Sequence, residues 1–384
     1  MGAARDLEAA GGVPSRRCIA WALVAMALAG LLAAPVAAVT WRQAVRQRPG
    51  WFQSDEGRRV VANVIAYQLP CGGWDKNIDM AARLDDAARA ALAERTDEGT
   101  IDNGATVEQL RFLARAIAAA GDADKAPAAA ASFQRGLDYL LEAQYDNGGW
   151  PMYYPLRPRG YYSHIHFNDD GMANVLNLLA DIAEGRPGFD FVDAAGRQRA
   201  AAALARGIEC ILKCQVVVDG QRTAWCAQHD EHTLAPAKAR TYELPSLSGQ
   251  ESVAVVRVLM RIQEPTPEII AAVNDAVAWL ERVKITGQRI EWVRNEDGVD
   301  RIVVDDPQAS PLWARFYEIG TNRPMFVGRD GVVRDRLADI ERERRVHYAY
   351  LGAWPAELLA EDYPAWRQRI DPPRPSDEPA IGAQ

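Results

Sequence analysis

Cations are the first shortage. In 384 residues, 44 Lys and Arg stand against 52 Asp and Glu, for a formal net charge of −8. A general nucleic-acid binder needs the opposite imbalance, because phosphates are neutralised by an excess of Lys and Arg. Histidine is also scarce, with five residues, all in polar segments: His164, His166, His229, His232 and His347. His229-Asp230-Glu231-His232 reads HxxH rather than HExxH, so the zinc-protease spacing is absent and zinc on the histidines is a weak alternative. There is no Ser nucleophile elbow, Walker loop, dinucleotide fingerprint or EF-hand loop. Past residue 38 no long apolar run occurs. Cysteine is limited to five residues. The balance of 48% hydrophobic and 25% charged residues excludes a disordered or collagen-like chain.

Tryptophan, by contrast, is abundant at eleven residues, which suits core wedges or a sugar-binding surface. Near the N-terminus Arg16-Arg17 precede an apolar run from Cys18 to Ala38 that ends Val36-Ala37-Ala38. Small residues at that point read as a secretory signal, residues 1–38, cleaved after Ala38. A retained anchor is the alternative, and the paired arginines faintly resemble a twin-arginine signal. Cleavage removes three basic and two acidic residues, taking the net charge from −8 to −9. The expected location is periplasmic or secreted in a bacterium, with no stable membrane association. Cys71, Cys210, Cys214 and Cys226 remain after cleavage, either as buried thiols or with Cys71 and Cys226 paired.

Residues 39–50 read as a linker and 371–384, rich in proline, as a disordered tail. Between them a repeat is visible. VVANVIAYQLPCGGW (60–74), LDYLLEAQYDNGGW (137–150) and GIECILKCQVVVDGQRTAW (207–225) each run as an amphipathic helix to a Gln, a glycine loop and a Trp. Gln68, Gln144 and Gln215 are 76 and 71 apart; Trp74, Trp150 and Trp225 are 76 and 75 apart. VNDAVAWLERVKITGQRIEW (273–292) reads as a weaker fourth copy that places Trp292 in the series. Helices over 106–121, 170–185 and 248–263 alternate with these copies, carrying apolar residues at i, i+3, i+4 and i+7, and a fourth candidate covers about 335–352. Thr106, Asp170 and Ser248 are their expected N-caps, with Glu251 completing a capping box. The pattern predicts an all-α fold, an α/α toroid of helical hairpins over 51–370, with an open solenoid as the alternative.

The segments feeding the second helix set are TIDNGAT (100–106), HIHFNDDG (164–171) and ARTYELPSLSGQES (239–252). Asp102-Asn103 and Asn168-Asp169-Asp170 are hard oxygen donors that suit Ca²⁺, or else cap the helices. Arg240, then Arg315, Arg323 and Arg329 in ARFYEIGTNRPMFVGRDG (314–331), and Arg344 suit bidentate recognition of carboxylates, or else are solvated surface arginines. Glu243, Glu251 and Glu318 fall among them with no partner evident from sequence.

Together with GGWDKNID (72–79), NGGWPMYYP (147–155), HIHFND (164–169), WCAQHDEHTLAPAKARTYELPSLSGQES (225–252) and RFYEIGTNRP (315–324), these segments resemble polysaccharide lyase family 10 pectate lyases over roughly residues 51–366. The resemblance implies cleavage of polygalacturonate by Ca²⁺-assisted β-elimination. It implies Asp102 and Asp169 as calcium ligands, with Asp170 either a third ligand or the N-cap, and Asn103 on calcium or substrate. Arg240 would be the base that removes the C5 proton. Arg315, Arg329 and Arg344 would hold substrate carboxylates, with Arg323 a competitor. Guanidinium is protonated below about pH 12, so an arginine base implies an alkaline rate optimum. A monomer is expected, with polygalacturonate as partner and no nucleic acid. A glycoside hydrolase using paired carboxylates, or a uronate-binding protein without activity, are the alternative readings.

Overall fold

In the computed structural model, residues 39–371 are described except Thr96, Asp122 and Pro158–Arg159. The expected signal peptide and the Pro-rich tail beyond Asp371 lie outside the described residues. Seven helices carry the architecture: α1 (Asp55–Ala66), α2 (Val107–Ala120), α3 (Pro127–Glu142), α4 (Gly171–Ala183), α5 (Ala194–Cys214), α6 (Glu251–Arg261) and α7 (Pro267–Arg282). Helices α1, α3, α5 and α7 pack side by side in that order, and α2, α4 and α6 form a second row against them. Their starts follow from sequence. Ser54 accepts from Gly57 N at 3.1 Å, Asp193 accepts from Gly196 N at 2.7 Å, and Thr266 caps α7 with Pro267 in its first turn. Gly121, at φ +90°, ends α2 in a left-handed turn that a Cβ disfavours. No helix of the described residues is long and apolar enough to cross a membrane.

The repeat has a physical basis that recurs from copy to copy. Gln68 Nε2 donates to Gly72 O in its own loop at 2.8 Å and to Ser132 O on α3 at 2.9 Å. Gln144 repeats this on Gly148 O and Ala203 O, at 3.0 and 2.9 Å, and Gln215 on Thr223 O and Ala272 O, at 3.0 and 2.9 Å. Each carboxamide therefore closes its loop onto the next helix of the row. Trp74, Trp150 and Trp225 are fully buried, and their indole N–H groups donate to Val64 O, Leu140 O and Ile211 O at 2.7–2.8 Å. A buried indole needs that partner. The backbone carbonyl of each Trp accepts from Thr100, His166 and Ser248, respectively, which starts the segment leading to a second-row helix.

The all-α expectation is overturned. About 48% of the described residues are helical and 14% are strand. Among the described residues there are seven two-stranded antiparallel pairs. Four of them, Gly99–Thr100 with Tyr153–Tyr154, Ile165–His166 with Gln228–His229, Leu247–Ser248 with Phe316–Tyr317 and Trp313–Ala314 with Leu351–Gly352, join segments far apart in sequence. All but Tyr154 and Gly352 in these pairs are buried, so their N–H and C=O groups need partners, and pairing supplies them where no helix does.

The seventh pair is a long hairpin, Gln288–Asn295 with Gly298–Asp305. It occupies the sequence read as the fourth repeat copy. Trp292 lies on it and is 57% exposed. The buried fourth tryptophan is Trp313, whose Nε1 donates to Leu280 O at 2.8 Å, so the hairpin is an insertion that displaces the series by 21 residues. The fourth second-row helix expected over 335–352 is likewise reduced to a short helix, Arg342–His347, followed by the strand Leu351–Gly352. The stretch 39–50 is more than a spacer. Ala44 is fully buried and the Trp41 indole donates to Glu108 at 3.0 Å. Cys71, Cys210, Cys214 and Cys226 are free thiols, so the Cys71–Cys226 bridge does not form.

Candidate active site

Two matching turns face each other at the starts of α2 and α4. Asp102–Gly104 and Asn168–Asp170 are single 3₁₀ turns packed together, and each has a left-handed middle residue, Asn103 at φ 52° and Asp169 at φ 49°. Asn and Asp tolerate that conformation better than other side chains, which explains their presence here independently of chemistry. Capping does not explain it. Neither Thr106 nor Asp170 makes a side-chain cap bond; Thr106 instead donates to Thr100 O at 2.8 Å and accepts from Trp74 N at 3.1 Å. Ser248 is not the cap either: the helix is capped at Gln250, and the Ser248 N–H goes to Trp225 O, so the expected capping box with Glu251 does not form. The Ser248 Oγ accepts from Glu251 N at 3.0 Å and donates to the Glu251 carboxylate.

Asp102 is buried between Lys76 and His166. Lys76 Nζ donates to Oδ2, and His166 Nε2 lies 3.2 Å from Oδ1. Burial pushes the carboxyl up, but His166 and Lys76 outweigh it and hold it well below the usual carboxylate range. Asn103 is exposed at the lip, donating to Asn77 Oδ1 at 3.3 Å. In the other turn, Asp169 accepts from Asn168 Nδ2 at 2.8 Å and from Arg315 Nη2 at 2.9 Å. Asp170 has the opposite electrostatics from Asp102. Burial, then Glu251 and Asp169 beside it, push it up to about 6.

Arg315 is the hub between the acidic turns and the arginines. It is 5% exposed, and Nη2 donates to Asn168 Oδ1, Asp169 Oδ1 and Glu251 Oε1. Its guanidinium carbon stands 4.8 Å from the centre of the Tyr348 ring. Tyr348 and Tyr242, edge to face at 5.6 Å, form the platform on which the remaining arginines gather. Arg240 lies 5.1 Å from Tyr242 and 5.6 Å from Tyr348; Arg344 lies 4.6 and 5.6 Å from the same rings; Arg329 lies 5.4 Å from Tyr242. Four of the five expected arginines therefore converge. Arg323 does not join them. It is exposed and pairs with Glu318 at 3.2 Å and Asp335 at 3.6 Å.

The three glutamates now have partners. Glu243 binds Arg240 in a fork and accepts from Tyr348 Oη at 2.8 Å; Glu251 takes Arg315 and Ser248; Glu318 takes Arg323 and Thr321. The consequence for Arg240 opposes what a base needs. Burial lowers its pKa, but Glu243 and the two tyrosines outweigh that and raise it above the usual arginine value. Arg344 is buried and Arg329 exposed, and both bind Glu343, at 3.0–3.2 Å. Sequence reasoning missed Lys76, Tyr242, Tyr348 and the role of His166 beside Asp102. Lys76 and Tyr242 stood inside quoted motifs, whereas Tyr348 carries no sequence signal. The HxxH histidines form no pair. His229 is buried, with Nε2 accepting from Cys226 N at 3.0 Å and Nδ1 donating to Leu234 O at 2.8 Å, while His232 is exposed.

A cavity of about 1040 Å³ lies elsewhere, lined by Glu108, Arg111, Phe112, Asp181, Phe189 and Arg261. Its charges are already matched, Arg111 and Arg261 each meeting Asp181 at 2.7 Å.

A fork of arginines beside crowded carboxylates has the chemistry to hold an acidic ligand. The profile of the pectic acid lyase family matches residues 68–359. A family 10 polysaccharide lyase from Cellvibrio cellulosa superposes with a TM-score of 0.67 at 32% identity, covering 84% of this chain and 95% of the other. A point mutant of a family 10 polysaccharide lyase from the same organism, in complex with trigalacturonic acid, gives a TM-score of 0.70 at 32% identity over 84% and 96%. No curated protein matches. The chain is a polysaccharide lyase. It belongs to the pectic acid lyase family.

Proposed function

We propose that this pectate lyase cleaves α-1,4-polygalacturonate by β-elimination, with Arg240 removing the C5 proton and Ca²⁺ assisting. The convergence of Arg240, Arg315, Arg329 and Arg344 on Tyr242 and Tyr348 is the observation that carries the reading, together with the trigalacturonic acid bound by the structural relative. Polygalacturonate presents one carboxylate per sugar, and guanidinium groups match carboxylates through paired N–H donors.

The C5 proton lies α to the uronate carboxylate. Its removal to Arg240 places negative charge on that group; the electron pair then forms the C4–C5 double bond as the C4–O bond breaks, and the departing oxygen takes a proton from water, leaving a 4,5-unsaturated end and a new reducing end. Groups that bind the developing charge more tightly than the ground state gain tenfold in rate for about each 1.4 kcal/mol of difference. Arg315, already fixed by Asp169 and Glu251, is the preorganised cation for that purpose. Arg344 and Arg329 would orient neighbouring uronates.

The residues suit calcium in their donor chemistry. Asp169, Asp170 and Asn168 offer hard oxygens on one turn, and the crowding that raises Asp170 is what a divalent cation relieves. Asp169 and Asp170 would hold the ion, with Asp102 on the adjoining turn. When bound, calcium would neutralise the uronate carboxylate and so acidify C5–H.

Incubation with polygalacturonate, with calcium or with a chelator and at neutral or alkaline pH, tests the reading. A calcium-dependent rise in the ultraviolet absorbance of the unsaturated end is expected. New reducing ends without that absorbance would mean hydrolysis and overturn it. We also propose export with removal of residues 1–38, and a monomeric enzyme. N-terminal sequencing of the processed protein and its mass in solution test these.

A further inference from the structure

The lyase chemistry leaves one group of metal-binding side chains unused. His164, Asp230 and Glu231 bring their ligand atoms within 4.8 Å of one another. They flank two strands paired at Ile165 and His229, and continuing the antiparallel register sets His164 beside Asp230. The backbone is fastened on both sides. Tyr145 Oη donates to Ser163 O at 2.7 Å and Asn147 Nδ2 donates to Glu231 O at 2.7 Å.

Within the group, two atoms are stranded. His164 Nδ1 and Glu231 Oε2 are both buried and have no hydrogen-bond partner. Leaving a buried donor or acceptor without a partner is unfavourable, so each points to something that would satisfy it. Asp230 is already oriented. Its Oδ1 accepts from His232 N at 3.1 Å, Thr233 N at 2.7 Å and Thr233 Oγ1 at 2.9 Å, which leaves the other oxygen for a ligand role. The His232 side chain, with Nε2 4.0 Å from Glu231 Oε1, is 85% exposed.

We propose that His164, Asp230 and Glu231 form a second metal site, distinct from the calcium-binding turn, that takes a divalent transition ion of the zinc class. One imidazole nitrogen with two carboxylate oxygens is a zinc-type donor set, whereas calcium takes oxygen alone. Three protein ligands leave a fourth position for water. The ion would clamp the strand that leads to His166 onto the loop that leads to Arg240, and so stiffen the approach to the active site without touching substrate.

The full chain, stripped with chelator and dialysed in excess calcium so that oxygen-only sites are filled, is titrated with zinc chloride. One zinc per chain is expected, with a rise of a few degrees in the unfolding midpoint. His164→Ala and the isosteric Glu231→Gln should each weaken zinc binding by at least about tenfold, in line with loss of a ligand, while lyase activity in calcium persists. No zinc on the wild-type chain, or equal zinc on both variants, overturns the proposal. Cobalt(II) loaded on the wild-type chain gives a reading that needs no variant. An intense four-coordinate visible band supports the site, and only the weak band of the octahedral ion refutes it.

Discussion

Glu243 holds Arg240 by two parallel hydrogen bonds, one from Nε at 2.7 Å and one from Nη2, and a third contact comes from the Arg240 backbone N–H at 3.2 Å. The same carboxylate accepts from Tyr348. A guanidinium fixed in this way is well aimed and poorly disposed to lose a proton, so the aim and the basicity of Arg240 are set against each other by one residue.

Replacing that residue separates the two effects. Glu243→Gln removes the charge that raises Arg240, so the ascending limb of the pH–rate profile, which reports the base, should move to lower pH. Arg240→Ala should lower kcat by about 10²-fold or more at every pH, in the range of a lost general base. A Glu243→Gln profile that is scaled down but unshifted would remove Arg240 from the proton-transfer step.

Arg323 and Arg344 make a matched pair for a kinetic comparison. Arg344 is buried on the Tyr242–Tyr348 platform, and Arg323 is exposed with Glu318 and Asp335. Arg344→Ala should reduce kcat/KM on polygalacturonate by about tenfold or more, the worth of a charge-assisted hydrogen bond. Arg323→Ala should leave it within about twofold, since exposed ion pairs contribute little.

Asp170 sets a pH dependence of stability in calcium-free buffer. Its folded value of about 6 lies above the 3.8 of an unperturbed Asp. The folded chain therefore keeps this proton longer than the unfolded chain, and stability falls as pH rises from about 4 through 6. Asp170→Asn should remove the loss, a gain of at most about 3 kcal/mol above pH 6 and none near pH 4. Urea unfolding at the two pH values with chelator present measures it. Equal stability changes at both would show that Asp170 titrates normally.

The displaced tryptophan gives a stability contrast. Trp313→Ala should cost about 3–5 kcal/mol, as for a fully buried large side chain. Trp292→Ala, on the exposed hairpin, should cost about 1 kcal/mol or less, chiefly its contact with Arg301 at 4.4 Å. Thermal unfolding of both variants checks the assignment of the fourth repeat position.

What could be read from the chain beforehand followed its local periodicities. The Gln–loop–Trp units and the alternating helices are local, and they appear at nearly their expected positions. The strand pairs were not legible, because each of the four inter-segment pairs is two residues long and joins stretches such as Trp313–Ala314 and Leu351–Gly352 that no short window contains. The hairpin was misread because Trp292 happens to fall near the repeat spacing, although Ile290 and Trp292 alternate with polar neighbours as a strand requires. In the site, Arg240, Asp102 and Asp169 stood inside specific motifs. Tyr348 and the ion pair of Arg315 with Glu251 depend on tertiary approach, and no sequence spacing announces them.

The repeated glutamine carries a direction. Gln68, Gln144 and Gln215 each reach forward to a carbonyl on a helix that comes later in the chain, 57–64 residues on. No unit of the row can complete its own loop; each borrows its last acceptor from its successor. During synthesis from the N-terminus, the loop of one unit must wait until the ribosome has delivered the next. A chain cut short after residue 190 would leave Gln144 without the Ala203 carbonyl, and the strand Ile165–His166 without its partner Gln228–His229. The protein is thus assembled like a row of tiles, each locked by the one laid after it.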